Sequence, residues 1–454
     1  MYTTLSPQLP LLIQQHAQDD VQQLALQRNR FPQLSDADFR FLLQQVEGRQ
    51  RTREKLPILS ALPDWWFPVR LSCEQCSSEA TARYKAQLVG HCHRLIDLTA
   101  GYGIDTFHLA EGMQEAHYVE RNAELCAIAE HNFSLYRPHI QVHNTTAESF
   151  LSSLPISNIP SPIANTPSPI AHSQSPIAHS QSPIAHSQSP IAHSQSPIAH
   201  SQSPIAHSQS PIAHSQSPIS NTLIYLDPAR RSQSGGKVFR IEDCEPNVID
   251  LLPTLRKHAD RIMIKFSPML DITAALRALG TDWDTHIVAV NNEVKEVLFV
   301  TGIGSMHAVN IRDMRTDRFF FSPADEKQAQ LTIATDMQQY IYEPNAAIIK
   351  AGAFRLISER YGVQKLDINT HLYTSNTCLS DFPGRIWEVV EEIKELKKQL
   401  DKSARYSIIS RNYPLSPEAI RKKYKLKDGD ECYLLAARHQ GKPLLISAKR
   451  IKRL

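Results

Sequence analysis

No apolar run in the 454 residues approaches transmembrane length, which excludes a membrane-spanning helix. Cysteine is sparse. The seven thiols, at 73, 76, 92, 126, 244, 378 and 432, follow no framework. Cys73 and Cys76 form a Cys-x-x-Cys without the second pair that a zinc site needs. Free thiols and no metal are therefore expected, as in a cytoplasmic protein. The N-terminus, Met1-Tyr-Thr-Thr-Leu-Ser, lacks a basic region leading into an apolar core, so no signal peptide is predicted. Strong net charge is also missing, yet the balance of +3 hides an asymmetry. Residues 401–454 hold 14 Lys and Arg against 5 Asp and Glu, a local +9, so the other 400 residues sum to −6. A basic tail of this kind suits either a polyanion-binding module or a solvated lysine-rich face.

The length predicts two to four domains. Residues 1–90 read as helical. Ser35-Asp-Ala-Asp38 is a capping sequence, and Phe39, Leu42, Leu43 and Val46 then make one buried stripe. Leu62-Pro-Asp-Trp-Trp-Phe-Pro68 carries enough apolar surface to pack this part onto its neighbour. The polar stretch from Glu74 to Lys85 reads as a surface helix. Further on, the heptapeptide Ser-Pro-Ile-Ala-His-Ser-Gln repeats seven times without change from Ser168 to Gln216. A proline in every repeat forbids a helix, and one isoleucine per repeat cannot build a core. A disordered, partly extended insert over residues 155–221 is expected, on the helix-to-strand side of a sheet and away from a ligand site.

The stretch Leu95-Ile-Asp-Leu-Thr-Ala-Gly-Tyr-Gly-Ile-Asp105 carries the first chemistry. An apolar run bearing Asp97 breaks into a turn with Gly101 and Gly103, and helix-compatible sequence follows. This is the strand–turn–helix in which backbone passes close beneath a bound nucleotide. Ala116-His-Tyr-Val-Glu120 reads as a second strand, ending in a carboxylate able to accept both ribose hydroxyls. The third glycine of a nicotinamide-binding turn is missing, since Thr106 stands there. The pattern points to a different nucleoside.

In these residues the sequence resembles the class I S-adenosylmethionine-dependent methyltransferases. That resemblance implies a Rossmann-like seven-stranded α/β sheet. It also implies a cofactor held by Asp97, Thr99, Gly101, Gly103, Asp105 and Glu120. Thr99 replaces the usual first glycine, as in some rRNA guanine methyltransferases that read Asp-x-Thr-Ala-Gly-x-Gly-x-Asp. The adenine contact would fall at Thr146 and Ala147, with a hydroxyl in place of the usual carboxylate. In many such enzymes the segment before the first strand closes over the methionine carboxylate, which makes Gln75, Ser77, Thr81 and Lys85 secondary candidates.

Thr222-Leu-Ile-Tyr-Leu-Asp-Pro-Ala-Arg-Arg231 is the second informative stretch. Methyl transfer from a sulfonium needs little acid–base help, because the electrophile is already charged. It needs a nucleophile held close and in line. By resemblance to N-methylating relatives, Asp227 and the Pro228 carbonyl would accept hydrogen bonds from a target amine. Arg230 stands where those relatives stack an aromatic ring, and a guanidinium can also stack or bind phosphate. No cysteine follows this strand closely, which disfavours carbon-5 pyrimidine methylation.

Asp260–Pro268, with Lys265 and Ser267 at its end, reads as the fifth strand. His286–Val290 and Lys295–Thr301, joined through Asn291-Asn292, read as a closing antiparallel pair. A catalytic domain over 91–304 is expected, then small α+β units at 305–382 and 383–454. With the motifs, this order resembles a bacterial methyltransferase family that carries a ferredoxin-like and then a C-terminal THUMP-like domain. The resemblance implies RNA, either rRNA or tRNA, as partner, with Lys422, Lys423 and Lys425 as backbone contacts. A small-molecule or protein methyltransferase, and a non-catalytic RNA-binding protein of the same fold, are the alternatives. Oligomeric state is left open.

Overall fold

A computed structural model of the chain describes residues 5–90, 92–155, 221–230, 241–312, 315–394, 399–401 and 403–451. The heptapeptide repeat, and with it the expectation of an extended linker, lies outside these residues.

The N-terminal part is helical as its pattern predicts. Ser35 caps the helix Asp36–Thr52, accepting from the Asp38 amide at 3.1 Å. Phe39, Leu42 and Val46 are buried against Leu9, Ile13 and Phe31. Leu62–Pro68 ties this helical part to the sheet that follows it. Trp65 Nε1 donates to Tyr102 Oη at 2.6 Å, and the Trp66 amide donates to Asn132 Oδ1 at 2.8 Å. The aromatic load thereby fixes the back of the glycine turn.

Eleven strands come next in the chain: β1 Arg94–Asp97, β2 Glu115–Glu120, β3 Ile140–Asn144, β4 Thr222–Leu226, β5 Ala229–Arg230, β6 Cys244–Glu245, β7 Arg261–Phe266, β8 Trp283–Val290, β9 Glu293–Thr301, β10 Met306–Arg312 and β11 Arg315–Phe321. Nine of them form one sheet in the order β11-β10-β8-β9-β7-β4-β1-β2-β3. The seven strands expected are present, and β10 and β11 extend the edge beyond residue 304. β10 runs parallel to β8, and β11 returns antiparallel. β4 is buried along its whole length, which explains its unbroken apolar run. Asn291 and Asn292 adopt positive φ (50° and 67°) and close the β8–β9 hairpin in two residues. The chain reverses direction across the sheet between β1 and β4, both neighbours of β1 being parallel to it. A ligand crevice forms at the carboxyl ends of strands that flank such a switch.

The second sheet has eight strands: β12 Tyr340–Pro344, β13 Gln364–Asp367, β14 Thr370–Ser375, β15 Gly384–Glu392, β16 Arg405–Ser410, β17 Lys427–Asp428, β18 Cys432–His439 and β19 Lys442–Ile451. Their order is β13-β14-β12-β15-β19-β18-β16-β17. The helix Pro417–Tyr424 packs through Ile420 and holds Lys422 and Lys423 exposed, with Lys425 exposed at its end.

Candidate active site

A cleft of about 860 Å³ opens at the carboxyl ends of β1, β2, β4 and β7. The glycine turn forms its floor. Gly101 has φ +55°, and a Cβ there would meet nothing within 4 Å, so the glycine leaves open space in the cleft wall. Gly103 has φ +84°, and its Cβ would lie 2.8 Å from Phe133 Cζ and 3.2 Å from Tyr118 Cε2. Its bareness serves turn-on-core packing.

Asp97 has no exposed surface and stands behind this floor. Its Oδ1 accepts from the Thr99 amide at 3.2 Å, and its Oδ2 accepts from Thr106 Oγ1 at 2.6 Å. Burial pushes its carboxyl up to about 8, with Asp105 and Asp227 adding repulsion. Asp97 therefore holds the turn from behind, as a largely neutral acid at pH 7. Thr99 lines the cleft and binds strand to strand, its Oγ1 accepting from the Asp227 amide at 2.5 Å. This explains a threonine in the first-glycine place. Glu120 ends β2 on the cleft wall. Its two oxygens accept from the Gly101 amide at 3.0 Å and the Asn122 amide at 2.8 Å, and each keeps capacity for another donor. Thr146 caps the helix Ala147–Ser153 by accepting from the Ser149 amide at 3.2 Å. Thr146 and Ala147 both line the cleft.

The far end is built from charge. Asp227 and Lys265 follow one another in register, because β4 pairs with β7 at Leu226 and Ile264. The Lys265 ammonium contacts Asp227 Oδ2 directly. Behind them Asp105 Oδ2 accepts from Tyr225 Oη and from Ser77 Oγ, both at 2.7 Å. Lys85 is completely buried, donating to Glu296 Oε1 at 2.8 Å and Oε2 at 2.7 Å. Its Nζ lies 3.2 Å from Asp105 Oδ1, an ion-pair contact. Burial pulls the Asp105 carboxyl upward, but Lys85 and Lys265 outweigh it and the net shift is downward. For Glu296, burial wins over the same two lysines and the shift is upward. Burial tends to lower the Lys265 ammonium, but Asp227, Asp105 and Glu296 more than reverse this and keep it charged.

Pro228 is buried in the cleft wall, and Arg230 lies in β5, paired with Cys244 of β6. The side chain of Arg230 lies outside the described residues. Gln75 and Ser77 line the cleft, whereas Thr81 is buried in the helix Glu79–Val89 and Lys85 points to Glu296. The surface helix expected over Glu74–Lys85 is instead two helices, Arg70–Gln75 and Glu79–Val89. Ser78 caps the second, and its Glu79, Thr81 and Lys85 are buried by ion pairs and caps, while Arg83 and Gln87 are exposed. Sequence reasoning gave no role to Lys265, Tyr225 or Glu296. The ionisable residues inside the apolar runs of β7 and β9 were the available signal.

Sheet order, glycine turn and cleft together define the Rossmann-like fold of the class I methyltransferases. Residues 340–383 match the family model of a ferredoxin-like domain, and residues 384–450 match one described as THUMP domain-like. A crystal structure of a Porphyromonas gingivalis protein assigned as a methyltransferase superposes with a TM-score of 0.74 at 27% identity, covering 98% of each chain. Two curated relatives from strains of Mycobacterium tuberculosis, both named as uncharacterized S-adenosylmethionine-dependent methyltransferases, are 23% identical over 218 residues. That span is 46% of this chain and 57% of theirs, so the chain spans just over half the length of the curated relatives it matches. The chain is thus a homologue of S-adenosylmethionine-dependent methyltransferases, with ferredoxin-like and THUMP-like domains toward its C-terminus. Among the described residues no His, Cys, Asp and Glu cluster could hold a metal, and no helix is long and apolar enough to cross a membrane.

Proposed function

We propose that this chain uses S-adenosylmethionine to methylate a base of structured RNA, in rRNA or tRNA. The observation that carries the reading is the cleft at the strand switch, where the open Gly101 wall, Glu120 and Asp227 face one space. The residues fit the cofactor. Gly101 leaves the room a nucleoside needs, Glu120 has capacity for ribose hydroxyls, and Thr146 and Ala147 line the adenine end. Bound S-adenosylmethionine supplies a methyl group on a positively charged sulfur. Asp227 and the Pro228 carbonyl orient the acceptor nitrogen toward that methyl. Asp227 would take the proton that the acceptor nitrogen sheds on methylation and pass it to solvent. Arg230, two residues past Pro228, is the residue assigned to stack on the base or bind a phosphate.

RNA is supported by the +9 tail and by the exposed lysines 422, 423 and 425 around one short helix. The helical residues 1–90 and the eight-stranded sheet of residues 340–451 serve as accessory parts to the catalytic sheet, which takes in the strands Met306–Arg312 and Arg315–Phe321 from the start of the expected 305–382 unit. A tritiated-methyl assay on bulk RNA from a strain lacking the gene tests the reading directly, and label in RNA is expected. Neutralising Lys422, Lys423 and Lys425 together should weaken RNA binding, leave cofactor affinity unchanged and reduce the logarithmic salt slope by roughly 2–3. An unchanged slope would make that helix a solvated face.

A further inference from the structure

We propose that Lys265 determines acceptor specificity, reading a hydrogen-bond acceptor on the base beside the amine that Asp227 holds. The inference rests on the methyl-transfer reading above. The motif at Asp227-Pro228 accounts only for a donor on the substrate, since carboxylate and carbonyl oxygens both accept. The structure adds a donor at the same place. Asp227 and Lys265 end adjacent parallel strands, both line the cleft, and their charged groups touch. A carboxylate beside an ammonium presents acceptor and donor side by side. That couple complements a nucleobase edge carrying an amine next to a ring nitrogen or carbonyl oxygen.

The backing of Lys265 argues against a lysine that merely neutralises Asp227. Its ammonium lies 4.0 Å from Asp105 and 3.5 Å from Ser77 Oγ. Asp105 is anchored in turn by Tyr225 and paired with the buried Lys85. One face of the ammonium is thus fixed by the protein. Its side chain is 12% exposed while that of Asp227 is 36% exposed, so both reach the cleft. A long flexible side chain needs such support to act as a precise donor. The fixed positive charge also excludes Lys265 as a base, which leaves recognition as its role.

The test uses the full chain. Cofactor affinity is first measured by calorimetry. Bulk RNA from the deletion strain is then methylated with tritiated cofactor, and the labelled nucleosides are identified by mass spectrometry. The expected product carries the methyl on an exocyclic amine adjacent to an acceptor, as in guanine, adenine or cytosine. Lys265→Met should lower kcat/KM for RNA at least tenfold with cofactor affinity within twofold of wild type, and Lys265→Arg should recover part of the loss. Label on ribose, on a base carbon or in protein instead of RNA, or no label, would overturn the proposal while cofactor binding upheld the fold's reading. Equal kcat/KM in Lys265→Met and wild type would overturn it as well. Absence of cofactor binding by the wild type would remove the underlying reading itself. Product identity is read on the wild type, so it holds even if the methionine variant folds poorly.

Discussion

Replacing Lys85 by methionine strands a carboxylate in the core. Lys85 is wholly buried, makes two hydrogen bonds of 2.7 and 2.8 Å to Glu296, and lies 3.2 Å from Asp105. Methionine fills most of the space but returns none of the charge. Breaking a buried ion pair from one side costs about 3–5 kcal/mol, because the remaining ion keeps its desolvation penalty. Glu296 already sits above the usual carboxylate range through burial, and without Lys85 it rises further. A carboxyl raised in the folded state stabilises below its unfolded pKa and loses that contribution as pH climbs through the folded value. The deficit of Lys85→Met should therefore grow with pH above the raised value that Glu296 already holds in the wild type, by up to about 1.4 kcal/mol per unit. Urea unfolding of wild type and variant at pH 5.5 and pH 8 measures this. Adding Glu296→Leu should recover at least half the loss, since an apolar pair can replace a buried ion pair at little net cost. A deficit under about 1 kcal/mol at pH 8, or no recovery in the double variant, would refute the buried bridge.

Gly103→Ala should destabilise the chain by about 1–3 kcal/mol and weaken cofactor binding, because positive φ and the Phe133 contact act together; Gly101→Ala should disturb stability less and cofactor affinity more, as its Cβ would face open cleft. Unfolding midpoints set beside calorimetric Kd values separate the two. Asp97 is raised to about 8 by burial, so its contribution to stability is complete below about 4 and lost as pH rises through 8. Asp97→Asn should remove that slope while preserving the turn, and an unchanged slope in urea unfolding between pH 5 and 8 would contradict the assignment. Deleting residues 168–216 should leave cofactor affinity within about twofold, since the flanking described residues lie at the amino end of β4, opposite Asp227; a tenfold loss in calorimetry would contradict that placement.

Local chemistry was legible in the sequence wherever neighbours in the chain decide it. Ser35 and the Phe39–Val46 stripe gave a capped helix, the apolar run at Thr222–Leu226 gave a buried strand, and Asn291-Asn292 gave a hairpin. The glycine turn and Glu120 located the cleft because strand, turn and helix follow in order. The charge network was not legible, because its members meet only through the tertiary fold. Lys85 and Glu296 are 211 residues apart, Asp105 and Tyr225 are 120 apart, and Asp227 and Lys265 are 38 apart. The polar look of Glu74–Lys85 suggested solvent for the same reason. Glu79 in fact caps backbone, accepting from the Ile58 and Leu59 amides at 2.9 and 2.8 Å. The edge strand β11 alternates in burial, with Phe319 and Phe321 inward and Phe320 exposed, a period-2 pattern that short strands carry only faintly.

Calorimetric titration of the full chain with S-adenosylmethionine measures the central claim most directly. One site per chain is expected, with affinity reduced at least tenfold in Glu120→Ala through loss of a charged acceptor. Absence of binding by the wild-type chain, or equal affinity in the variant, would contradict the assignment of the cleft.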